Sequence, residues 1–185
     1  MTGPWRLPAQ KNIGSQTYDL RTDYRDILEI IACFEDTALP EQTRWLVALK
    51  LFYVQPVAPE HRYQAMEYLA EFLRCGGEPA APGPKLLDWQ QDADAIIAGV
   101  NKVAGEEVRS LPYVHWWTFI SWFHAMGEGQ LSTLVSIRDK LRRGKKLENW
   151  EKEFYRENKQ KVDLRRPEND EDRAEKQRLN QLLGN

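Results

Sequence analysis

Residues 113–126 read YVHWWTFISWFHAM and hold six of the 20 aromatic residues in this 185-residue chain. On a helical wheel the large apolar side chains of this stretch crowd one side: Trp116, Phe119, Ile120, Trp122, Phe123 and Met126. His115 lies at the edge of the stripe. A small helical bundle buries its largest side chains in such a stripe. Residues 113–126 are therefore predicted to form a core helix.

Trp117 and His124 fall outside the stripe. A single core does not explain Trp117, which leaves two interpretations open. Trp117 either covers a second helix, or it is exposed and anchors a partner, because Trp is enriched at the binding hot spots of interfaces.

Helical patterns continue on both sides of this stretch. The predicted helices cover about residues 23–34, 40–52, 59–75, 85–103, 113–126 and 130–141. Thr22 or Asp23 can cap the first helix, and the glycines at 76 and 77 end the third. The apolar spacing turns Tyr63 of the third helix toward the core, together with Met66, Leu69, Ala70 and Leu73.

The first 17 residues show no helical periodicity, and a short β-hairpin is predicted around Gly14-Ser15. The sequence therefore predicts an all-α protein, a compact bundle of about six helices with a short N-terminal hairpin. Its predicted parts are an N-terminal arm (1–17), a helical domain (18–144) and a charged C-terminal tail (145–185). GGEPAAPGP, residues 76–84, is the clearest internal linker.

The net charge of −2 hides an asymmetry between the two parts of the chain. Residues 138–185 hold 15 Lys and Arg against 11 Asp and Glu, whereas residues 1–137 hold 11 against 17. Such a charge density does not fit a dry core. The tail beyond Gly144 is predicted to form one or two solvated helices interrupted at Pro167, or to stay disordered until it meets a partner.

The residue types that usually carry chemistry do not form a site. His115 and His124 are nine residues apart, on opposite faces of a helix, and neither has a carboxylate or Cys at the spacing of a known site. No catalytic or metal role is expected for these two histidines or for His61. The acidic cluster Asp88, Asp92 and Asp94 lacks the Glu-x-x-His pairs of a di-metal bundle, which favours a solvated or salt-bridged helix face. No phosphate loop, dinucleotide fingerprint or nucleophile elbow is present. A non-catalytic protein without cofactor or metal is expected.

Residues 138–146 form a basic run that could contact phosphates. Acidic residues alternate with basic ones from Glu148 onward, so a solvated helix end is favoured over a nucleic-acid interface. Cys33 and Cys75 are too few and too far apart for a disulfide framework, and each is interpreted as a small buried apolar residue. No apolar run suits a signal peptide or a membrane span. These features predict a soluble cytosolic protein.

Three segments together resemble the bacteriophage gene-product-fifteen family: YDLRTDYRDILEIIACFED (18–36), LLDWQQDADAIIAGVNKVAG (86–105) and LPYVHWWTFISWFHAMGEGQLSTLVSIRDKL (111–141). The family's Thr-Asp-Phe-Arg-like start is matched by Thr22-Asp23-Tyr24-Arg25, with Tyr where Phe is commoner. Its aspartate, aromatic and second aspartate are matched by Asp88, Trp89 and Asp92. Its His-Trp-Trp block, the following Phe and a later Arg are matched by His115, Trp116, Trp117, Phe119 and Arg138.

The resemblance implies a small helical protein encoded in the tail gene cluster of a long-tailed phage, beside the tape-measure gene. That position suggests a tail-assembly chaperone working in the host cytoplasm, with the tape-measure protein and the tail-tube protein as partners. The expected binding mode is an amphipathic helix held in a groove. The candidate contacts are His115, Trp116 and Trp117, and homo-oligomerisation stays open.

Two other functions remain as alternatives. The first is a minor structural component that stays in the finished tail. The second is a nucleic-acid-binding regulator that uses residues 138–146 and would bind DNA with a steep salt dependence.

Overall fold

The computed structural model describes residues 5–79, 81 and 83–165. Within these residues the chain forms an N-terminal β-hairpin followed by α-helices, which confirms the predicted all-α fold with its short hairpin. The strands are β1 (Gln10–Ile13) and β2 (Gln16–Asp19), and the helices are α1 (Tyr24–Glu35), α2 (Glu41–Phe52), α3 (Arg62–Leu73), α4 (Ala93–Ala104), α5 (Trp116–His124), α6 (Gln130–Arg142), α7 (Asn149–Glu157) and α8 (Lys159–Val162). Short 3-10 turns at Pro59–His61 and Val108–Ser110 precede α3 and α5.

The hairpin turns at Gly14-Ser15, as predicted. β1 and β2 pair antiparallel with Ile13 opposite Gln16, and Gly14 has a φ of 59°, a left-handed conformation that glycine adopts without a steric penalty. Ile13 and Tyr18 are buried, so one face of the hairpin closes the bundle.

The aromatic part of the core lies between α1, α2, α3 and α5, and aliphatic residues of α4 and α6 extend it. Tyr24 of α1 stacks on Phe119 of α5 with ring centroids 4.5 Å apart. Phe52 of α2 packs against Phe72 of α3 at 4.9 Å. These pairs join helices that are far apart in the sequence, and aromatic pairs contribute about 0.5–1.5 kcal/mol each beyond the burial of their surface.

The predicted helix over residues 85–103 is wrong at its beginning, because α4 starts only at Ala93. The Asp88 carboxylate accepts hydrogen bonds from the backbone N–H groups of Gln90 and Gln91 at 3.0 and 2.8 Å. The Asp92 carboxylate turns back to the N–H of Asp88 at 2.9 Å. Such bonds from side chain to backbone compete with helix formation, so residues 89–92 form turns instead.

The predicted helix over 113–126 is shorter at both ends, since α5 covers Trp116–His124. His115 has an extended backbone with φ −60° and ψ 137°, and its side chain accepts from the N–H of Trp117. His115 is therefore the N-cap of α5, and Tyr113 and Val114 precede the helix.

Tyr63, predicted to face the core, is 71% exposed. α3 buries Ala65, Leu69 and Phe72. Tyr63 lies about 200° from Ala65 and about 180° from Phe72 around the helix, at 100° per residue. Leu46 of α2 is also exposed, at 47%.

Part of the charged segment after Gly144 packs against the bundle. Val162 of α8 is 1% exposed, and Glu151 of α7 is buried with its carboxylate 2.6 Å from the Lys140 ammonium of α6. Residues 149–162 are thus helical, whereas Pro167 and the rest of 166–185 lie outside the described residues. The predicted boundary at residue 144 therefore separates residues that contact each other. That residues 18–144 form a domain of their own stays a prediction.

Candidate partner-binding site

The first turns of α1 and α5 lie side by side and share backbone hydrogen bonds. The N–H of Tyr24 donates to the carbonyl of Val114 at 3.0 Å, and the N–H of Trp116 donates to the carbonyl of Thr22 at 2.8 Å. Each helix thereby satisfies one of the unpaired N–H groups at the other's N-terminus. We refer to residues 22–25 and 113–117 as the α1–α5 junction.

Asp23 caps α1 and bonds across the junction. Its Oδ1 accepts from the N–H of Arg25 at 3.0 Å, and its Oδ2 accepts from the N–H of Val114 at 3.0 Å. The Arg25 guanidinium donates to both carboxylate oxygens of Asp23 and to the carbonyl of Leu111 at 2.6 Å. One carboxylate therefore fixes the start of α1 and the approach to α5.

His115 makes two hydrogen bonds that fix a neutral ring. Its Nδ1 accepts from the N–H of Trp117 at 3.0 Å, and its Nε2 lies 3.1 Å from the carbonyl oxygen of Pro8. Because a carbonyl can only accept, Nε2 carries the proton and donates, and Nδ1 is the acceptor. Burial lowers the pKa of His115, and the bond to the Pro8 carbonyl opposes that shift. A protonated ring would lose the cap of α5.

Trp116 and Trp117 both donate their indole N–H to the C-terminal end of α3. Trp116 Nε1 donates to the carbonyl of Leu73 at 3.1 Å, and Trp117 Nε1 donates to the carbonyl of Phe72 at 3.0 Å. Trp116 is 2% exposed, whereas Trp117 is half-buried and packs on the Phe72 ring at 5.8 Å. Of the two interpretations of Trp117, the contact with a second helix is present. Contact with a partner stays a prediction for all three candidates, and burial gives His115 and Trp116 internal roles.

A groove of about 560 Å³ opens beside these indoles between α1, the end of α3 and α5. We call it the aromatic groove. It is lined by Ile31, Leu73, Arg74, Cys75, Trp89, Trp116, Trp117, Ile120, Ser121, Phe123 and His124. Trp89 contacts Phe123 with ring centroids 5.1 Å apart, so the loop before α4 forms one wall. Burial raises the pKa of the Cys75 thiol, which lines the groove just after α3, to about 11.

A buried ion pair holds the opposite side of the loop before α4. The Arg138 guanidinium of α6 donates to both carboxylate oxygens of Asp92 at 2.7 and 2.8 Å. It also donates to the carbonyls of Leu86, Lys161 and Val162 at 2.9, 2.6 and 2.7 Å. These five bonds match the five N–H groups of a guanidinium, which explains how the charge is accommodated at 6% exposure. We call these residues the Arg138 cluster.

In a comparison with known protein families, residues 6–164 match the model described as Bacteriophage Gp15 protein. The chain belongs to this family. Comparison with curated proteins and comparison with solved structures each found no match.

In this Gp15-family chain, the segments that carry the resemblance meet in space. Thr22 to Arg25 and His115 to Trp117 form the α1–α5 junction, and Asp92 bonds Arg138. All three segments also line the aromatic groove, through Ile31 from the first, Trp89 from the second and Trp116 to His124 from the third. The family match extends through α7 and α8, whose last residues complete the Arg138 cluster.

The acidic cluster divides into three environments. Asp92 is buried in the Arg138 cluster, Asp88 lies 3.0 Å from the Lys85 ammonium, and Asp94 is exposed. The predicted ion pairing and solvation are present, but the predicted helix face is wrong, because Asp88 and Asp92 precede α4 and Asp92 is buried in an ion pair that the periodicity did not reveal. The sequence signal for this buried pair was Arg138, which stands at an apolar position of α6, four residues after Leu134.

Sequence analysis missed the hydrogen bonds that Gln91 makes to residues 160–165. Its Nε2 donates to the carbonyls of Gln160, Lys161 and Asp163, and its Oε1 accepts from the N–H of Arg165 at 2.9 Å. A polar residue in an acidic turn carries no pattern that would predict bonds to a segment about 70 residues away.

In the basic run, Arg138 belongs to the interior and the remaining cations lie at a helix end. Arg142 and Arg143 pair with Asp139 at 3.0 and 2.8 Å, and Lys145 and Lys146 are exposed. Within residues 5–79, 81 and 83–165, no group of His, Cys, Asp or Glu could hold a metal ion. None of the helices in these ranges is both long enough and apolar enough to cross a membrane.

Proposed function

We propose that this chain is a non-catalytic tail-assembly chaperone that holds an amphipathic helix of the phage tape-measure protein in its aromatic groove, in the host cytoplasm. The observation that carries the proposal is the composition of the groove. Each of the three segments that resemble the family contributes to its lining, which supports a role of the groove in the family's function. The tail-tube protein is a second partner in this proposal.

The groove has the chemistry that an amphipathic helix needs. Indole and phenyl rings from Trp89, Trp117 and Phe123 provide wide apolar surfaces, and Ser121 and His124 are exposed at the rim. A helix in a groove places side chains at positions i, i+3, i+4 and i+7 against such a floor. Trp117 is a groove wall because its indole is held by the Phe72 carbonyl and cannot turn away freely.

Co-expression of the tagged chain with the tape-measure protein of the same gene cluster tests the proposal. The expected result is that the tape-measure protein stays soluble and co-elutes with the chain. An insoluble tape-measure protein and no complex would refute it. Mass spectrometry of purified particles then separates a chaperone, which is absent from them, from a retained structural component.

A variant that fills the groove without disturbing the core locates the contact. Ser121 is exposed and its Oγ donates to the carbonyl of Trp117 at 2.8 Å, so Ser121→Arg adds a long charged side chain at the rim. The matched control is Ser110→Arg, since Ser110 is exposed, bonds the Glu107 carbonyl at 2.7 Å and does not line the groove. Ser121→Arg is expected to abolish co-elution while Ser110→Arg retains it. Equal retention in both would place the contact elsewhere.

A further inference from the structure

A second groove runs along the outside of α2, away from the aromatic groove, and the proposed function does not use it. Two adjoining hollows of about 350 and 370 Å³ share Leu46 and Arg62. Together they extend from Glu41 at the start of α2 to Tyr53 after its end, about 18 Å at 1.5 Å per residue. We call this surface the α2–α3 groove.

The floor of the α2–α3 groove is apolar. Its apolar residues are Trp45, Leu46, Leu49, Val54, Val57 and Met66. Leu46 is 47% and Val54 49% exposed, so two of the large exposed apolar side chains in the described residues lie on this one surface. Exposed apolar residues that cluster in a groove mark an interaction site more often than scattered ones do.

Three cations line the end of the groove near the C-terminus of α2. They are Arg21, Lys50 and Arg62, and none of them forms an ion pair with a carboxylate among the described residues. The Arg21 guanidinium donates to the carbonyls of Lys50, Leu51 and Tyr53, which holds it in place, and it also interacts electrostatically with Asp26 of α1.

Arg62 is the first residue of α3, whose first turn contains no acidic residue, and the 3-10 turn Pro59–His61 directly before it carries Glu60. A carboxylate from outside would be attracted by the guanidinium. Glu41 is the one acid that lines the groove, in the hollow at the start of α2, which Arg62 also lines; the hollow near the end of α2 has no acid in its lining.

We infer that the α2–α3 groove binds an acidic amphipathic helix of a partner protein. Leucine-type side chains of that helix would cover Leu46 and Val54, and its carboxylates would face Lys50, Arg62 and Arg21. Opposite charge supplies orientation and association rate, and the apolar floor supplies the binding energy. The site is independent of the aromatic groove and does not rest on the proposed function.

A synthetic helical peptide tests this inference on the full chain. The probe is a fluorescent peptide of about 18 residues made of Glu and Leu, with Leu at i, i+3, i+4 and i+7, and the comparison peptide carries Lys in place of Glu. We expect the acidic peptide to bind, with an anisotropy change that weakens as salt rises, and the basic peptide not to bind. No binding of the acidic peptide, or equal binding of both peptides, would overturn the inference.

Matched variants locate the site. Lys50→Glu with Arg62→Glu is expected to weaken binding at least about tenfold, a loss of about 1.4 kcal/mol. Lys145→Glu with Lys146→Glu changes the net charge equally at exposed positions outside the groove and is expected to stay within about twofold of the original chain. Equal loss in the two pairs would mean that only net charge matters and would overturn the site.

Apolar variants complete the test. Leu46→Ser is expected to weaken binding several-fold, and Leu141→Ser, at a partly exposed leucine of α6, is the control that retains it. Ser121→Arg in the aromatic groove is also expected to leave peptide binding unchanged, so failure here and failure of the proposed function are distinguishable. Dimerisation removed by Leu46→Ser, with no peptide bound, would show that a second copy occupies the groove and would overturn the inference.

Discussion

The α1–α5 junction and the Arg138 cluster both join segments that are distant in the sequence, but they use different interactions. The junction uses backbone hydrogen bonds, a partly exposed Asp23–Arg25 pair and a neutral His115. The Arg138 cluster uses a fully desolvated ion pair with every guanidinium N–H occupied. The junction therefore contains several bonds that can be lost one at a time, whereas the cluster depends on one charge.

Loss of Arg138 gives the largest expected effect, because the Asp92 carboxyl would be left buried without its partner. Arg138→Met is expected to lower the free energy of unfolding by about 3–5 kcal/mol, measured by urea denaturation. The control is Arg142→Met, whose exposed pair with Asp139 contributes at most about 1 kcal/mol. The double variant Asp92→Leu with Arg138→Met is expected to recover part of the loss. An equal loss of unfolding free energy in Arg138→Met and Arg142→Met would show that the buried pair stabilises the fold no more than the exposed pair does.

Asp23→Ala tests the junction and is expected to cost about 2–3 kcal/mol, because it removes the cap of α1 and the acceptor for the Val114 N–H. Asp23→Asn keeps an acceptor oxygen and is expected to cost less. Asp26→Ala, in the first turn of the same helix, is the control and is expected to change stability by about 0.5 kcal/mol or less, because burial raises the pKa of Asp26 and offsets the favourable helix dipole. Thermal unfolding of the three variants would rank them. A cost for Asp26→Ala as large as that for Asp23→Ala would contradict the capping role.

His115 makes the junction sensitive to pH. Its folded pKa lies below the ordinary 6.5, so at higher pH the ring is neutral in both folded and unfolded chains and its bonds contribute fully. As the pH falls below 6.5 the unfolded chain takes up the proton first, and stability is lost until the folded pKa is passed. His115→Asn keeps a capping acceptor, is expected to cost about 1 kcal/mol at pH 7, and removes this pH dependence.

The matched comparison for His115 is His124→Gln, at an exposed histidine of α5. We expect urea denaturation of His124→Gln between about pH 7 and pH 5 to follow the original chain. If His124→Gln, and not His115→Asn, abolished the acid loss, the assignment to His115 would be wrong.

Gln91→Ala is expected to have the smallest and most local effect, about 1 kcal/mol or less, because its hydrogen bonds are exposed. Hydrogen exchange should accelerate for residues 160–165 and stay unchanged in α1 and α5. Gln90→Ala, an exposed neighbour, is the control. Faster exchange throughout the bundle would show that residues 160–165 are coupled to the whole core. The effect of Gln91 would then not be local, and the α1–α5 junction would be affected as well.

Local pattern was enough to predict α1 and most of α5. Asp23 precedes an apolar stripe at the spacing of a helix cap, and the aromatic stripe of α5 has one dominant face. The start of α4 could not be predicted in this way, because Asp88 and Asp92 bond their own backbone and stop the helical pattern from forming. Periodicity measures burial along one element and does not include such side-chain bonds.

The candidate site was predictable only in part. The order of the three family segments identified Trp116, Trp117 and Asp92, and folding brings these segments together. That Trp117 bonds Phe72, or that Arg138 pairs with a residue 46 positions away, depends on how the helices pack. A contact between residues so far apart in the sequence produces no recognisable pattern in the residues next to either of them.

The acceptors of Arg138 also set an order of events during synthesis. Leu86 and Asp92 leave the ribosome before Arg138, but Lys161 and Val162 follow more than 20 residues after it. Until those residues are made, the guanidinium has two of its five bonds unsatisfied and cannot be fully withdrawn from water. The bundle can pack around its aromatic core early, but the Arg138–Asp92 ion pair is fully enclosed only when the chain reaches α8.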